Sequence, residues 1–331
     1  MMIRPLLVFA GQSNMMGASV YPASEQIYFK NSFEYLHKPK RFGKPMGNFK
    51  NYGFPSGEYS YIDLSAAYGE GGDENSVSSL NDYWNNTHFC PSMCNLQSDE
   101  EKTTYLFAHF SEALPTTSVS LAPYMVQGLE EAGYNCAFTH IAKGAVPIEH
   151  FLSGGAADYF DQKVSDFFAD CEKKFPDDDT SERVLLWLQG ESNANDNCVD
   201  YKNKLSLLWE RAKNLGFTKF CIIRVGFWGN ENITEVMRAQ EEFCKETEDV
   251  YMLTRVGSYF EFKGQEVDSW FKTSMPSEFS LCRDSFYGFN NQHINEKGFK
   301  TIAKYATPNL IRVLFEGKEP ILEEELIIPL L

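Results

Sequence analysis

The stretch Pro5-Leu6-Leu7-Val8-Phe9-Ala10-Gly11-Gln12-Ser13-Asn14-Met15-Met16-Gly17 sets the frame for the 331-residue chain. Pro5 to Phe9 is an unbroken apolar run, the pattern of a strand buried on both faces of a parallel sheet. Gly11 ends that strand and Gly17 lets the chain turn again. Between the glycines stand Gln12, Ser13 and Asn14, at what should be the carboxyl end of a central strand, where open α/β sheets bind ligands. A serine there can expose its hydroxyl near backbone amides suited to a developing negative charge. The plainer reading is a strand-to-helix turn with Ser13 as its N-cap.

A serine hydroxyl is a weak nucleophile without a base, so the question passes to the six histidines. His293 lies in Asn290-Asn291-Gln292-His293-Ile294-Asn295-Glu296-Lys297-Gly298-Phe299, on a loop ahead of the last helical pattern, with no apolar helical face to hide in. Two further glycine turns follow apolar runs: Ile141-Ala142-Lys143-Gly144-Ala145 and Trp187-Leu188-Gln189-Gly190-Glu191-Ser192-Asn193. These four blocks, in this order, resemble the SGNH hydrolase superfamily, and within it the carbohydrate acetylesterases related to sialate O-acetylesterase. The resemblance implies a three-layer α/β/α sandwich around a flavodoxin-like parallel sheet. It also implies Ser13 as nucleophile, His293 as base, and an oxyanion hole from the amides of Ser13 and Gly144 with a side-chain amide of the third block. Gln189 is the first candidate for that amide and Asn193 the lesser one. Gln12, Asn14, Glu191 and Asn193 are candidates for holding the substrate.

Two positions depart from the family pattern. Ala145 stands where the family usually carries a second glycine. Asn290 stands three residues before the histidine, where the family has an aspartate. An asparagine can accept a hydrogen bond from the imidazole and fix its tautomer, but it offers no full charge to the imidazolium. Asp284 or Glu191 could instead support His293, or a Ser13–His293 dyad could work with Asn290 or a backbone carbonyl.

The remaining regular pattern begins near Ser118. Helical periodicity covers 119–132, 159–174, 199–214, 234–247 and 296–315, the last with an interruption expected before Pro308. Strand-like runs cover 135–141, 183–188, 219–225 and 250–253. Alternation of this kind predicts a parallel sheet with helical crossovers. The chain is expected to be one domain over 1–331. Residues 18–117 show little periodicity and form a lid-like insertion, whose aromatics suit either sugar stacking or its own packing.

A formal net charge of -16 argues against nucleic acid and anionic membranes as partners. No run of about 18 apolar residues exists to span a bilayer. The start Met1-Met2-Ile3-Arg4-Pro5 has no signal-peptide core, which places the chain as given in the cytoplasm. Of the eight cysteines, Cys136 and Cys221 sit inside strand-like runs and Cys171 and Cys244 inside helical ones, so free thiols are expected. Cys90 and Cys94, with His88 nearby, lack a second cysteine pair, so no metal is expected, and ester hydrolysis by serine needs no cofactor. The expected activity is removal of O-acetyl groups from a carbohydrate: an acetylated plant polysaccharide, an oligosaccharide or sialic acid. The rivals are a short-chain lipase or thioesterase on the same sheet, and a carbohydrate-binding protein that has lost catalysis. Oligomeric state is not legible.

Overall fold

Leu6–Gly11 (β1) is a strand buried at every residue, as its apolar run predicts. In the computed structural model, which describes residues 2–16, 29–37, 47–51, 120–142, 146–226, 233–260, 286 and 293–322, β1 lies at the centre of a seven-stranded sheet. The other strands are Phe33–His37 (β2), Gly47–Asn51 (β3), Ala137–Ala142 (β4), Arg183–Leu188 (β5), Lys219–Ile223 (β6) and Val250–Thr254 (β7). Their order is β3-β2-β4-β1-β5-β6-β7, all parallel except β3, which pairs antiparallel with β2. With β2 and β3 set aside, the order β4-β1-β5-β6-β7 is the flavodoxin-like 2-1-3-4-5.

Helices cover both faces. The strand period of two sends Leu6, Val8 and Ala10 of β1 to one side. There they pack with residues of Gly154–Lys174, Cys198–Asn214 and Thr234–Glu246. Leu7 and Phe9 go to the other side, with residues of Leu121–Glu131 and Glu296–Ile311. Numbering the four-residue helix Ser13–Met16 as α1, these five become α2 (Leu121–Glu131), α3 (Gly154–Lys174), α4 (Cys198–Asn214), α5 (Thr234–Glu246) and α6 (Glu296–Ile311). The layers are therefore α3, α4 and α5, the sheet, then α2 and α6: a three-layer α/β/α sandwich.

Two expectations change. The stretch 18–117 contributes two strands to the sheet, where no periodicity predicts any. Glu34 of β2 is wholly buried with its Oε1 3.4 Å from His140 Nδ1 of β4, so a charged residue sits where the strand pattern wants an apolar one. Apart from 29–37 and 47–51, the proposed insertion lies outside the described residues, as do Cys90, Cys94, Cys282 and His88. Second, α6 runs through Pro308 to Ile311 and passes into a π turn, Arg312–Glu316, closed by Gly317 at φ +60°. A proline inside a helix costs about 3 kcal/mol. Burial of Phe299, Ile302 and Leu310 on the same helix supplies roughly 1.5–3 kcal/mol each, which outweighs that cost.

The five described cysteines, Cys136, Cys171, Cys198, Cys221 and Cys244, are free thiols. Among the described residues no group of His, Cys, Asp and Glu is arranged to hold a metal, and no helix is long and apolar enough to cross a membrane.

Candidate active site

The register of the central strands gathers three of the four sequence blocks at one edge of the sheet. Gly11, the last residue of β1, lies opposite Ala142 of β4 and Leu188 of β5. Gln12 and Ser13 therefore emerge beside Gln189 and beside the end of β4 at Ala142. This is where strand order reverses on either side of β1, the usual ligand-binding crevice of an open α/β sheet. The close approach needs glycine: a Cβ on Gly11 would stand 2.0 Å from Leu188 O, and its φ is +149°. Gln12 N donates to Leu188 O at 3.3 Å across the same gap.

Ser13 opens α1 and is 5% exposed, and its Oγ is buried without a hydrogen-bond partner. Its neighbour Asn14 joins three parts of the chain. Asn14 Nδ2 donates to Glu191 Oε1 at 2.8 Å, and Asn14 Oδ1 accepts from Ile294 N at 3.1 Å. The turn that carries Ser13 is thereby bonded to the residue that follows His293, across 280 positions of sequence. The histidine segment is fixed from its other side as well. Asn295 caps α6 by accepting from Gly298 N, and Asn295 N donates to Phe286 O at 2.9 Å. Gly298 admits no side chain, since a Cβ there would lie 2.5 Å from Ile294 Cγ2. His293 is partly buried, and burial lowers its pKa below the ordinary 6.5, which favours the neutral imidazole.

The third block is a cluster of carboxamides whose orientation is set by backbone groups. Asn193 Oδ1 accepts from Ile148 N (2.9 Å) and from Gln189 Nε2 (2.8 Å). Gln189 Nε2 also faces Val146 O (3.2 Å) and Gln12 Oε1 (3.3 Å), while Gln189 Oε1 accepts from Tyr201 Oη at 2.7 Å. Two amide hydrogens thus face three protein acceptors, and the side chain is wholly buried. Asn193 Nδ2 donates to Glu149 Oε2 and Asp196 Oδ2, which Lys204 approaches in turn. Glu191 is 5% exposed, and its Oε2 has no partner. Burial pushes its pKa up to about 7, against the opposing hydrogen bonds from Asn14 and the amides of Glu191 and Gly190.

Gln12, Ser13, Asn14, Gln189, Glu191 and Asn193 are therefore joined with the His293 segment, while Gly144, Asn290 and Asp284 lie outside the described residues. The sequence reading missed Tyr201 and Gln240. Tyr201 donates to the Gln189 carboxamide, and Gln240 Nε2 donates to Gln189 O at 2.9 Å while its Oε1 accepts from Val225 N. The one available signal was a polar tip on the apolar stripe of each helix, which periodicity scores as core.

Fold and site together define an α/β sandwich with a polar cluster and a buried serine at the switch point of its sheet. No protein-family model matches the chain, and no curated protein matches its sequence. Solved structures do resemble it. A protein from Arabidopsis thaliana superposes with a TM-score of 0.51 at 11% identity, over 92% of this chain and 97% of that one, which shows the shared fold. NanS gives a TM-score of 0.48 at 10% identity over 95% and 98% of the two chains. A carbohydrate acetylesterase from Xanthomonas citri gives 0.44 at 11% identity, over 95% of this chain and 57% of that one.

Proposed function

We propose that the protein is a serine esterase that removes O-acetyl groups from a carbohydrate. The observation that carries this reading is the Asn14 Oδ1 to Ile294 N hydrogen bond of 3.1 Å. It holds the serine turn and the histidine turn against each other, as a nucleophile and its base require. Ser13 Oγ makes no hydrogen bond in this structure, to His293 or to any other group, so the mechanism requires the pair to close to bonding distance when substrate binds.

In this mechanism Ser13 Oγ attacks the acetyl carbonyl while neutral His293 takes its proton. The tetrahedral oxyanion is received by the backbone amides of Ser13 and Gly144. His293 then returns the proton to the departing sugar oxygen, and water releases acetate from the acetyl-serine by the same steps in reverse order. Asn290 orients the imidazole by accepting from it. Gln189, whose hydrogens serve Asn193, Val146 and Gln12, braces the oxyanion loop: it meets Val146 O, and Asn193 meets Ile148 N. Neither a metal nor an organic cofactor enters.

The test compares acetate release from 4-nitrophenyl acetate and from acetylated xylan by the wild type and by Ser13→Ala. The variant should lose all but background activity, and phenylmethylsulfonyl fluoride should label Ser13 in the wild type. Equal rates from both proteins would rule the mechanism out. A preference for octanoyl over acetyl esters would move the substrate from acetylated sugar to lipid.

A further inference from the structure

We infer that the carboxamide of Gln12 is the side-chain donor to the ester oxygen, a catalytic role beyond its expected part in holding substrate; this rests on the serine esterase reading above. Asn193 Oδ1 must be the oxygen, because it accepts from the backbone N–H of Ile148. Gln189 must then present its nitrogen to Asn193, and the carbonyl of Val146 demands the same orientation. Gln12 must present its oxygen to Gln189, and the backbone N–H of Ser192, 3.2 Å from Gln12 Oε1, independently requires that. Three backbone groups therefore leave no freedom to flip any of the three amides.

The consequence falls on the last amide in the chain. Gln12 is 1% exposed, its oxygen receives two donors, and its Nε2 meets no acceptor among the described residues. An oriented NH₂ without a protein acceptor has its two hydrogens available to a bound group. Gln12 adjoins Ser13, whose Oγ is buried and has no hydrogen-bond partner. The two groups, consecutive in sequence at the end of β1, match the two contacts that an ester carbonyl makes: its carbon with the nucleophile and its oxygen with a donor. Gln189, with its hydrogens already committed, holds Gln12 in place, and Tyr201 holds Gln189. No proton is transferred at this position; the N–H stays covalently intact while the oxygen gains and loses its charge.

The experiment uses the full chain with Gln12→Ala, Gln12→Glu and Ser13→Ala, assayed on 4-nitrophenyl acetate and on its thionoacetate analogue, in which sulfur replaces the carbonyl oxygen. Gln12→Glu keeps the acceptor for Gln189 and Ser192 and removes the donor, so it carries the test if Gln12→Ala does not fold. The expected loss is about 10²–10³ in kcat on the oxygen ester, with KM moved much less. Preference for oxygen over sulfur should shrink at least about tenfold, since a strong N–H donor discriminates between the two anions. Tyr201→Phe should lower kcat in the wild type yet add little on top of Gln12→Ala, as residues acting through one another do. A kcat within about threefold of wild type in either Gln12 variant would overturn the assignment. So would a loss of kcat with the oxygen preference unchanged, which would make Gln12 a brace for the 190–193 turn. Those outcomes leave the esterase reading intact if Ser13→Ala is inactive; an active Ser13→Ala overturns both.

Discussion

Glu191→Gln should turn a pH-dependent weakness of the fold into a pH-independent strength. Glu191 opens the turn Glu191–Asn193 with one carboxylate oxygen bonded to Asn14 and the other buried without a donor. Burial raises its pKa from the ordinary 4.5 to about 7. A raised carboxyl pKa means that the native state holds the proton more tightly than the unfolded chain does. The associated stability is complete below pH 4.5 and is lost progressively as pH rises through 7. The interval from 4.5 to about 7, at 1.36 kcal/mol per pH unit, corresponds to about 3 kcal/mol. Glutamine has no charge to bury, and its oxygen still accepts from Asn14 Nδ2. Urea unfolding of both proteins at pH 4 and pH 8.5 isolates the effect, because every other titrating group cancels in the difference. The variant should gain about 3 kcal/mol relative to wild type between those two pH values. A difference that stays constant to within about 0.5 kcal/mol, or that moves toward the wild type at high pH, would refute the argument.

Three other outcomes follow from the same geometry. Gly11→Ala should destabilise by more than about 3 kcal/mol in urea unfolding, because its Cβ would overlap Leu188 O at a φ no alanine favours. Asn14→Ala should cost about 2–4 kcal/mol, since it strands the Ile294 N–H and removes a donor from buried Glu191; kcat should fall more than KM rises, as the serine and histidine turns loosen. The acid limb of kcat/KM should show an apparent pKa below 6.5, the direction in which burial moves His293, and a limb above 6.5 would contradict His293 as the base in the free enzyme.

Much of this fold is written locally. The runs Leu6 to Gly11 and Arg183 to Leu188 form strands because their residues have no other way to leave water, and the structure places both at the sheet's centre. Helix α4 is bounded by the capping chemistry of Asn197 and by Gly216 at φ +93°. β2 was illegible because Glu34 interrupts its apolar pattern, and His140, more than a hundred residues away, is what accompanies that carboxylate in the interior. Pro308 suggested a break in α6 that packing against the sheet overrides.

For the site, sequence alone determined which residue types were available: a serine between glycines, a histidine before the last helix, a glutamine and a glutamate leaving a buried strand. Only the tertiary structure decided what each one touches. Gln12, Gln189 and Asn193 carry the same functional group, and no local pattern distinguishes a brace from a donor. Backbone groups of Ile148, Val146 and Ser192 settle which way the three amides face. A hydrogen bond is directional, and its direction depends on where distant segments of the chain come to rest.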